Sequence, residues 1–384
     1  MAVENNSTVR WFSHQMAGAP PLTGEPGSLL AILDACLING FGTASPDGNK
    51  IIVSGGVATV EFSGGNDFEK HAIVEIAGAT PAGLNDLWRV TGATANTFTF
   101  ECPGIPDGNA TGSITVKRAT PGGWGKPFTG TNLAAYQSTG LSASGVFFRF
   151  DDSSGKEARV RGYESMQDID TGINPFPTIA QKSNAVMWPK SNAADSSARS
   201  WWIVADEKTV YLFSSVSTSY STDPEMWMIG DFATGGQIDP ANAMVHGSSG
   251  SSALSYPGHG GLHSTNSSGR FTPRNVSQQY VSDSPFFSLK SNNSFGNGNK
   301  GVYPQPFNNG LLLDYPVFIR DNTDTASDLR GWLPGLFSPM HTCAPISTQI
   351  IENIEPDALT LMFMSCETPW TKYSVAVDIK GPWQ

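Results

Sequence analysis

Between residues 45 and 119 the chain alternates apolar and polar positions in short runs. Ile51-Ile52-Val53-Ser54, Val57-Ala58-Thr59-Val60-Glu61-Phe62, Ala72-Ile73-Val74-Glu75-Ile76, Leu87-Trp88-Arg89-Val90, Thr97-Phe98-Thr99-Phe100 and Ser113-Ile114-Thr115-Val116 are rich in β-branched and aromatic residues. Period-two alternation turns one face of each run toward a core and the other toward water. Asp47-Gly48-Asn49, Ser63-Gly64-Gly65-Asn66-Asp67 and Asp107-Gly108-Asn109 punctuate the runs with residues that tolerate positive φ. The pattern predicts a small antiparallel β module. Its inward set is Val53, Val60, Phe62, Val74, Ile76, Trp88, Val90, Phe98, Phe100 and Ile114.

Residues 1–44 read as an N-terminal arm with one short helix. Glu25-Pro26-Gly27-Ser28 is a start signal with Ser28 as candidate N-cap. Leu29, Leu30, Ile32, Leu33, Cys36, Leu37 and Ile38 follow at helical spacing, and Asn39-Gly40 stops the run. So apolar a helix has to be buried, either on its own β-domain or against a neighbouring subunit.

Residues 120–384 read as a larger β-rich, sandwich-like domain. Pro121-Gly122-Gly123-Trp124-Gly125-Lys126-Pro127 has linker composition. Strand patterns at 146–150 and 157–163 flank the turn Asp151-Asp152-Ser153-Ser154-Gly155, and those at 201–206 and 209–214 flank a turn at Asp206-Glu207-Lys208. Further strand patterns lie at 225–232, 310–313, 315–320, 359–364 and 374–379. Residues 233–310 are dense in Ser, Gly, Asn and Pro with scattered aromatics, which predicts long loops anchored on a scaffold. The expected fold class is mainly β: a small antiparallel module at 45–119, a larger β-sandwich-like domain at 120–384 with long loops, and one N-terminal helix.

The segment Ala77-Gly78-Ala79-Thr80-Pro81-Ala82-Gly83-Leu84-Asn85, the Arg89-Val90 strand and Thr97-Phe98-Thr99-Phe100 together resemble a small β-domain that recurs in tailed-phage virion proteins. Scattered patches are similar to uncharacterised structural proteins of the same phages. They are Thr8-Val9-Arg10-Trp11-Phe12-Ser13, residues 30–42, Val160-Arg161-Gly162-Tyr163-Glu164-Ser165-Met166 and Arg330-Gly331-Trp332-Leu333-Pro334-Gly335-Leu336-Phe337-Ser338-Pro339. The resemblance implies a virion component, made in the bacterial host cytoplasm, and leaves its place in the particle open.

Composition narrows the choices. At 384 residues, two or three domains are expected. Charged residues make up only 15% of the chain, which suits surfaces buried in an assembly. A net charge of −11 disfavours direct binding to nucleic acid. Cys36, Cys102, Cys343 and Cys366 stand far apart and form no zinc-type pair; buried free thiols fit a reducing cytosol. No signal peptide and no membrane-spanning run is expected, hence no membrane insertion.

Candidate chemistry is thin. Gly296-x-Gly298-x-x-Gly301 lacks the flanking strand and helix of a dinucleotide site. His246, His259 and His263 are the metal candidates, with no helix to hold them. Residues 321–328 are rich in oxygen donors but lack the order of a calcium loop. Asp151-Asp152 and Asp168-Ile169-Asp170 supply paired carboxylates at turn-like positions. Neither cofactor nor metal is expected. Trp188, Trp201 and Trp202, with Leu29, Leu30, Leu33 and Leu37 of the helix, are the candidate partner interface; these tryptophans and Trp124 read first as core and interface material and second as sugar-stacking platforms. The expected function is a non-enzymatic structural component of a tailed-phage virion, at the tail, head–tail junction or capsid surface. It would act by homo-oligomerisation and by docking onto other phage structural proteins. The alternative is a capsid decoration or a receptor- or glycan-binding module that meets a host surface glycan.

Overall fold

The computed structural model describes residues 7–140, 142–219, 224–234, 242–248, 268–274, 286–287, 301–302, 313–320, 329–339, 341–342, 348–354, 357–367 and 372–383. Strand β1 (Arg10–Ser13) precedes the helix. Helix α1 (Ser28–Leu33) continues as a π-helical stretch, Asp34–Asn39, which Gly40 ends at φ 70. The cap differs from the expected one. Gly27 holds the N-cap position, and Ser28 donates its hydroxyl to the Thr23 carbonyl at 2.8 Å. The open N–H groups of Leu29 and Leu30 donate instead to Asp152 Oδ2, at 2.9 and 3.3 Å. A carboxylate at a helix start satisfies orphan donors whichever part of the chain supplies it.

The next nine strands are β2 (Phe41–Ala44), β3 (Ile51–Ser54), β4 (Val57–Glu61), β5 (Ile73–Ala77), β6 (Leu87–Arg89), β7 (Gly92–Ala93), β8 (Thr97–Glu101), β9 (Gly108–Asn109) and β10 (Thr115–Arg118). They form two antiparallel sheets, ordered β2-β10-β5-β6 and β7-β8-β4-β3-β9. All ten predicted inward residues are buried in one apolar cluster between them. Trp88 stacks on Phe100, ring centroids 4.8 Å apart, and donates its indole N–H to the Leu84 carbonyl at 2.8 Å. Gly108-Asn109, expected as a turn, pairs with β3 as a short strand, and Asp107 beside it accepts the Gly55 N–H at 2.9 Å.

Eleven more strands follow: β11 (Trp124–Gly130), β12 (Leu133–Ser138), β13 (Phe147–Asp151), β14 (Glu157–Met166), β15 (Gly172–Phe176), β16 (Val186–Pro189), β17 (Trp201–Ala205), β18 (Thr209–Ser214), β19 (Glu225–Asp231), β20 (Ala243–Ser248) and β21 (Ser268–Phe271). With β1 they make one sheet of 12 strands, ordered β1-β17-β18-β19-β20-β16-β14-β13-β12-β11, with β15 beside β14 and β21 beside β20. Phe12, Tyr136, Phe150, Trp188, Trp201 and Trp227, drawn from across this sheet, share one core with Leu29, Leu33 and Leu37. The sheet therefore curls around the helix. Its two ends meet where Trp124 of β11 donates to the Asp206 carbonyl at 2.8 Å and Ser138 of β12 to the Glu207 carbonyl at 2.7 Å. Two expectations change here. The 121–127 stretch is not a free linker, because the buried Trp124 opens β11. The 233–310 stretch is not loop throughout, because β20 and β21 add to the sheet.

The remaining strands are β22 (Phe286–Phe287), β23 (Gly301–Val302), β24 (Leu313–Asp314), β25 (Val317–Arg320), β26 (Leu329–Leu333), β27 (Leu336–Pro339), β28 (His341–Thr342), β29 (Gln349–Ile354), β30 (Leu359–Glu367) and β31 (Lys372–Asp378). The larger group is ordered β24-β27-β31-β30-β29. Val317, Leu333, Met362, Met364, Val375 and Val377 pack on Trp202, Val204, Tyr211, Phe213, Met226 and Met228, the outward residues of β17–β19. These central strands are buried on both faces, which is why they read as unbroken apolar runs. The mainly β expectation stands. The larger region is layered as helix, curled sheet and outer strands rather than as a simple two-sheet sandwich.

Candidate interaction surface

The residues expected at a partner interface lie elsewhere. Leu29, Leu30, Leu33, Leu37, Trp188 and Trp201 are buried in the inner core, and Trp202 in the outer one. The curled sheet covers the apolar side of the helix, so those leucines have no surface to offer a neighbour. Trp188 donates its indole N–H to the His246 carbonyl at 2.8 Å, and Trp201 to the Pro20 carbonyl at 3.0 Å. Buried indoles satisfied by backbone are core elements, unavailable for stacking on sugars.

The titratable candidates serve the fold. His246 sits on β20, not in a loop, and is fully buried; burial, then the nearby Arg270 cation, pushes its imidazole well below the ordinary range. His259, His263 and residues 321–328 lie outside the described residues. Asp168 Oδ1 accepts the N–H groups of Asp170 and Thr171 at 2.8 and 2.7 Å, an Asx turn. Asp151 accepts the Ser153 N–H at 3.1 Å. Asp152 is buried against Lys190, whose Nζ lies 2.5 Å from Oδ1 and also donates to the Glu25 carbonyl at 2.6 Å. Burial raises the Asp152 carboxyl even so, with Lys190 and the helix N–H groups opposing. Asp206, in the β17–β18 turn, accepts the N–H groups of Lys208 and Thr209, yet burial pushes its carboxyl up to about 6. Among the described residues, no three His, Cys, Asp or Glu side chains are grouped to hold a metal.

A different patch has the makings of a contact surface. Strands β11–β15 turn Tyr136, Phe148, Phe150 and Val160 into the inner core, so the alternate positions face outward. There Phe128 stacks on Phe147, centroids 5.8 Å apart with planes at 28°. Phe147 lies opposite Tyr163, and Arg149 opposite Arg161, across β13 and β14. Arg149 donates to the Ile169 carbonyl at 2.6 Å, Arg161 to the Lys182 and Ser183 carbonyls, and Arg159 to the Asn184 carbonyl at 3.1 Å. The arginines thus hold two loops over part of the sheet. Beside them β15 presents Ile173, 51% exposed, and the second loop presents Ile179, 66% exposed. Half-buried aromatics, ordered arginines and exposed aliphatics form the mixture enriched in protein interfaces. Its signal in the sequence is the alternation Phe147, Arg149 and Arg159, Arg161, Tyr163, opposite in phase to the core positions.

No family model matches the chain, and no curated protein matches it. No helix among the described residues is long and apolar enough to cross a membrane.

Proposed function

We propose that the chain is a non-enzymatic structural component of a tailed-phage virion, working by association with copies of itself and with other virion proteins. The observation that carries this reading is the β2–β10 sandwich, where the resemblance to phage virion proteins is densest. Its Ala77–Asn85 corner is built for structure: the Asn85 side chain accepts the Ala79 N–H at 2.7 Å and donates to the Ala79 carbonyl at 2.8 Å. The engagement of Asp152, Asp168 and Asp206 in turns and caps supports a non-catalytic role. The outer face of β11–β15 is the surface that suits docking. The burial of Trp188, Trp201 and Trp202 withdraws those three indoles as sugar-stacking platforms. Gold-labelled antibody against the chain, applied to purified particles of the encoding phage, tests the reading. Label at a fixed place on the particle is expected. Unlabelled particles that also lack peptides of the chain by mass spectrometry would overturn it.

A further inference from the structure

Lys190 and Asp152 form an ion pair with no outlet to water: their side chains are 1% and 0% exposed. In Arg118–Glu69 and Arg199–Asp195, by contrast, the carboxylate reaches solvent. Asp152 follows the last residue of β13 and Lys190 the last of β16, and β14 lies between those strands. Two positions earlier on each strand, Phe150 and Trp188 face the inner core and pack edge-on at 5.1 Å. Two charges taken this far from water are costly to keep as charges.

The two carboxylate oxygens have different partners. Oδ2 accepts the N–H groups of Leu29 and Leu30, at 2.9 and 3.3 Å. Oδ1 faces Lys190 Nζ at 2.5 Å. Nζ also donates to the Glu25 carbonyl at 2.6 Å and lies 3.4 Å from Ser28 Oγ. Two backbone N–H groups on one oxygen are the donor set that stabilises an oxyanion in acyl transfer. An amine fixed against the other oxygen is a nucleophile held beside its electrophile at high effective concentration. Proton transfer from ammonium to carboxylate gives the neutral pair that reacts. Burial favours that transfer, since it raises the Asp152 carboxyl above its ordinary range against the pull of Lys190 and the two N–H groups.

We propose that Lys190 and Asp152 condense after folding into an amide, a covalent cross-link between the ends of β13 and β16. Nζ gives a proton to Oδ1, and its lone pair then attacks Cγ. The charge of the tetrahedral intermediate settles on Oδ2, under the Leu29 and Leu30 N–H groups. The Cγ–Oδ1 bond breaks, and Oδ1 leaves as water with two of the three ammonium protons. The third proton stays on nitrogen and is donated to the Glu25 carbonyl. Ammonium and carboxylate thus become amide and water, with no further reactant. A site closed to water protects the amide from hydrolysis. The link fastens β13 to β16 across β14, joining residues 38 apart in sequence, and Oδ2 goes on holding the helix start. The chain reacts with itself, once, so the inference stands apart from any place in a virion.

Mass spectrometry of the purified full chain tests this, on the intact protein and on its tryptic peptides, fresh and after storage in the folded state. The intact mass is expected to fall short of the sequence by one water, after storage at the latest. Trypsin should release residues 150–156 and 183–199 as one branched peptide, uncut after Lys190, because an acylated lysine has no charge for trypsin to recognise. Lys190→Arg keeps the cation without the nucleophile and should show its full mass. A wild type of full mass after storage would overturn the proposal and leave an ordinary ion pair. So would a water loss confined to one peptide, the mark of a succinimide, or a Lys190→Arg variant that loses the water as well.

Discussion

The sandwich and the curled sheet are both antiparallel, yet they solve burial differently. In the sandwich, β3, β4 and β8 alternate buried and open positions, and the two sheets, nine strands in all, cover each other. In the curled sheet, β17, β18 and β19 are buried on both faces. Their covers come from the opposite ends of the chain: the helix inside, the C-terminal strands outside. A unit closed by neighbours in sequence should fold and fail by itself. A sheet covered from both termini should fail as a whole.

Large truncations in the two cores are the strongest way to break that contrast. Trp188 is fully buried, packs edge-on against Phe150 at 5.1 Å and binds the His246 carbonyl. Trp188→Ala should cost about 3–5 kcal/mol, and its loss should unfold the curled sheet with the helix and outer strands. Trp88→Ala should cost a similar amount but melt only the sandwich. Two separate thermal transitions, each lowered by one variant alone, are the expected calorimetric result. A single transition lowered equally by both would show that the two regions unfold together.

The contrast also explains what could be read from the chain. Val53, Val60, Phe98 and Phe100 announce their burial because the residues between them are polar or exposed. Trp201 and Trp202 carry no such phase, because both faces of β17 are covered, so core and contact surface look alike. The helix at 28–39 was legible from its spacing, but its cap was not, since Asp152 arrives from 123 residues away. Pro and Gly at 121–127 have the composition of a linker; the one indole among them, Trp124, was the sign of an anchor. His246 looked like a loop residue because serines and glycines follow it, whereas β20 takes its stability from β19 and β21 on either side. The outward patch on β11–β15 was hidden for the opposite reason: arginines and aromatics in alternation look like an ordinary solvated face until the loops they hold are seen.

A second, smaller effect is expected at the join between the helix and the curled sheet. Asp152 caps the helix and neutralises the buried Lys190 at once. Asp152→Ala strips both and leaves a buried cation with only the Glu25 carbonyl and Ser28 hydroxyl. A cost of about 3 kcal/mol follows. Asp152→Ala combined with Lys190→Met should recover part of it, because the stranded charge is gone while the uncapped helix remains. Denaturant midpoints of the two variants check this, and no recovery in the double variant would mean that the cap, not the charge, dominates. Neither variant should move the sandwich transition.

The smallest effect tests the closure of the curl, a feature the sandwich does not have. The Asp206 carbonyl receives the Trp124 indole N–H, and its carboxyl is buried in the turn with its ionisation pushed up from 3.8 to about 6. Between those values the folded chain keeps a proton that the unfolded chain has lost. Stability therefore falls as the pH rises from about 4 to about 6, and above that the full penalty stands, at most about 3 kcal/mol. Asp206→Asn keeps an oxygen for the N–H groups of Lys208 and Thr209 but has no charge to bury. It should raise stability at pH 7–8 by about 1–2 kcal/mol, less than the full penalty because an amide accepts hydrogen bonds less strongly than a carboxylate. The advantage should shrink as the pH is lowered and vanish near pH 4. Thermal melts of the curled-sheet transition across this range are the measurement. A variant less stable than the wild type at pH 7 would show that the ionised carboxylate, gripping its own turn, is what holds the two ends of the sheet together.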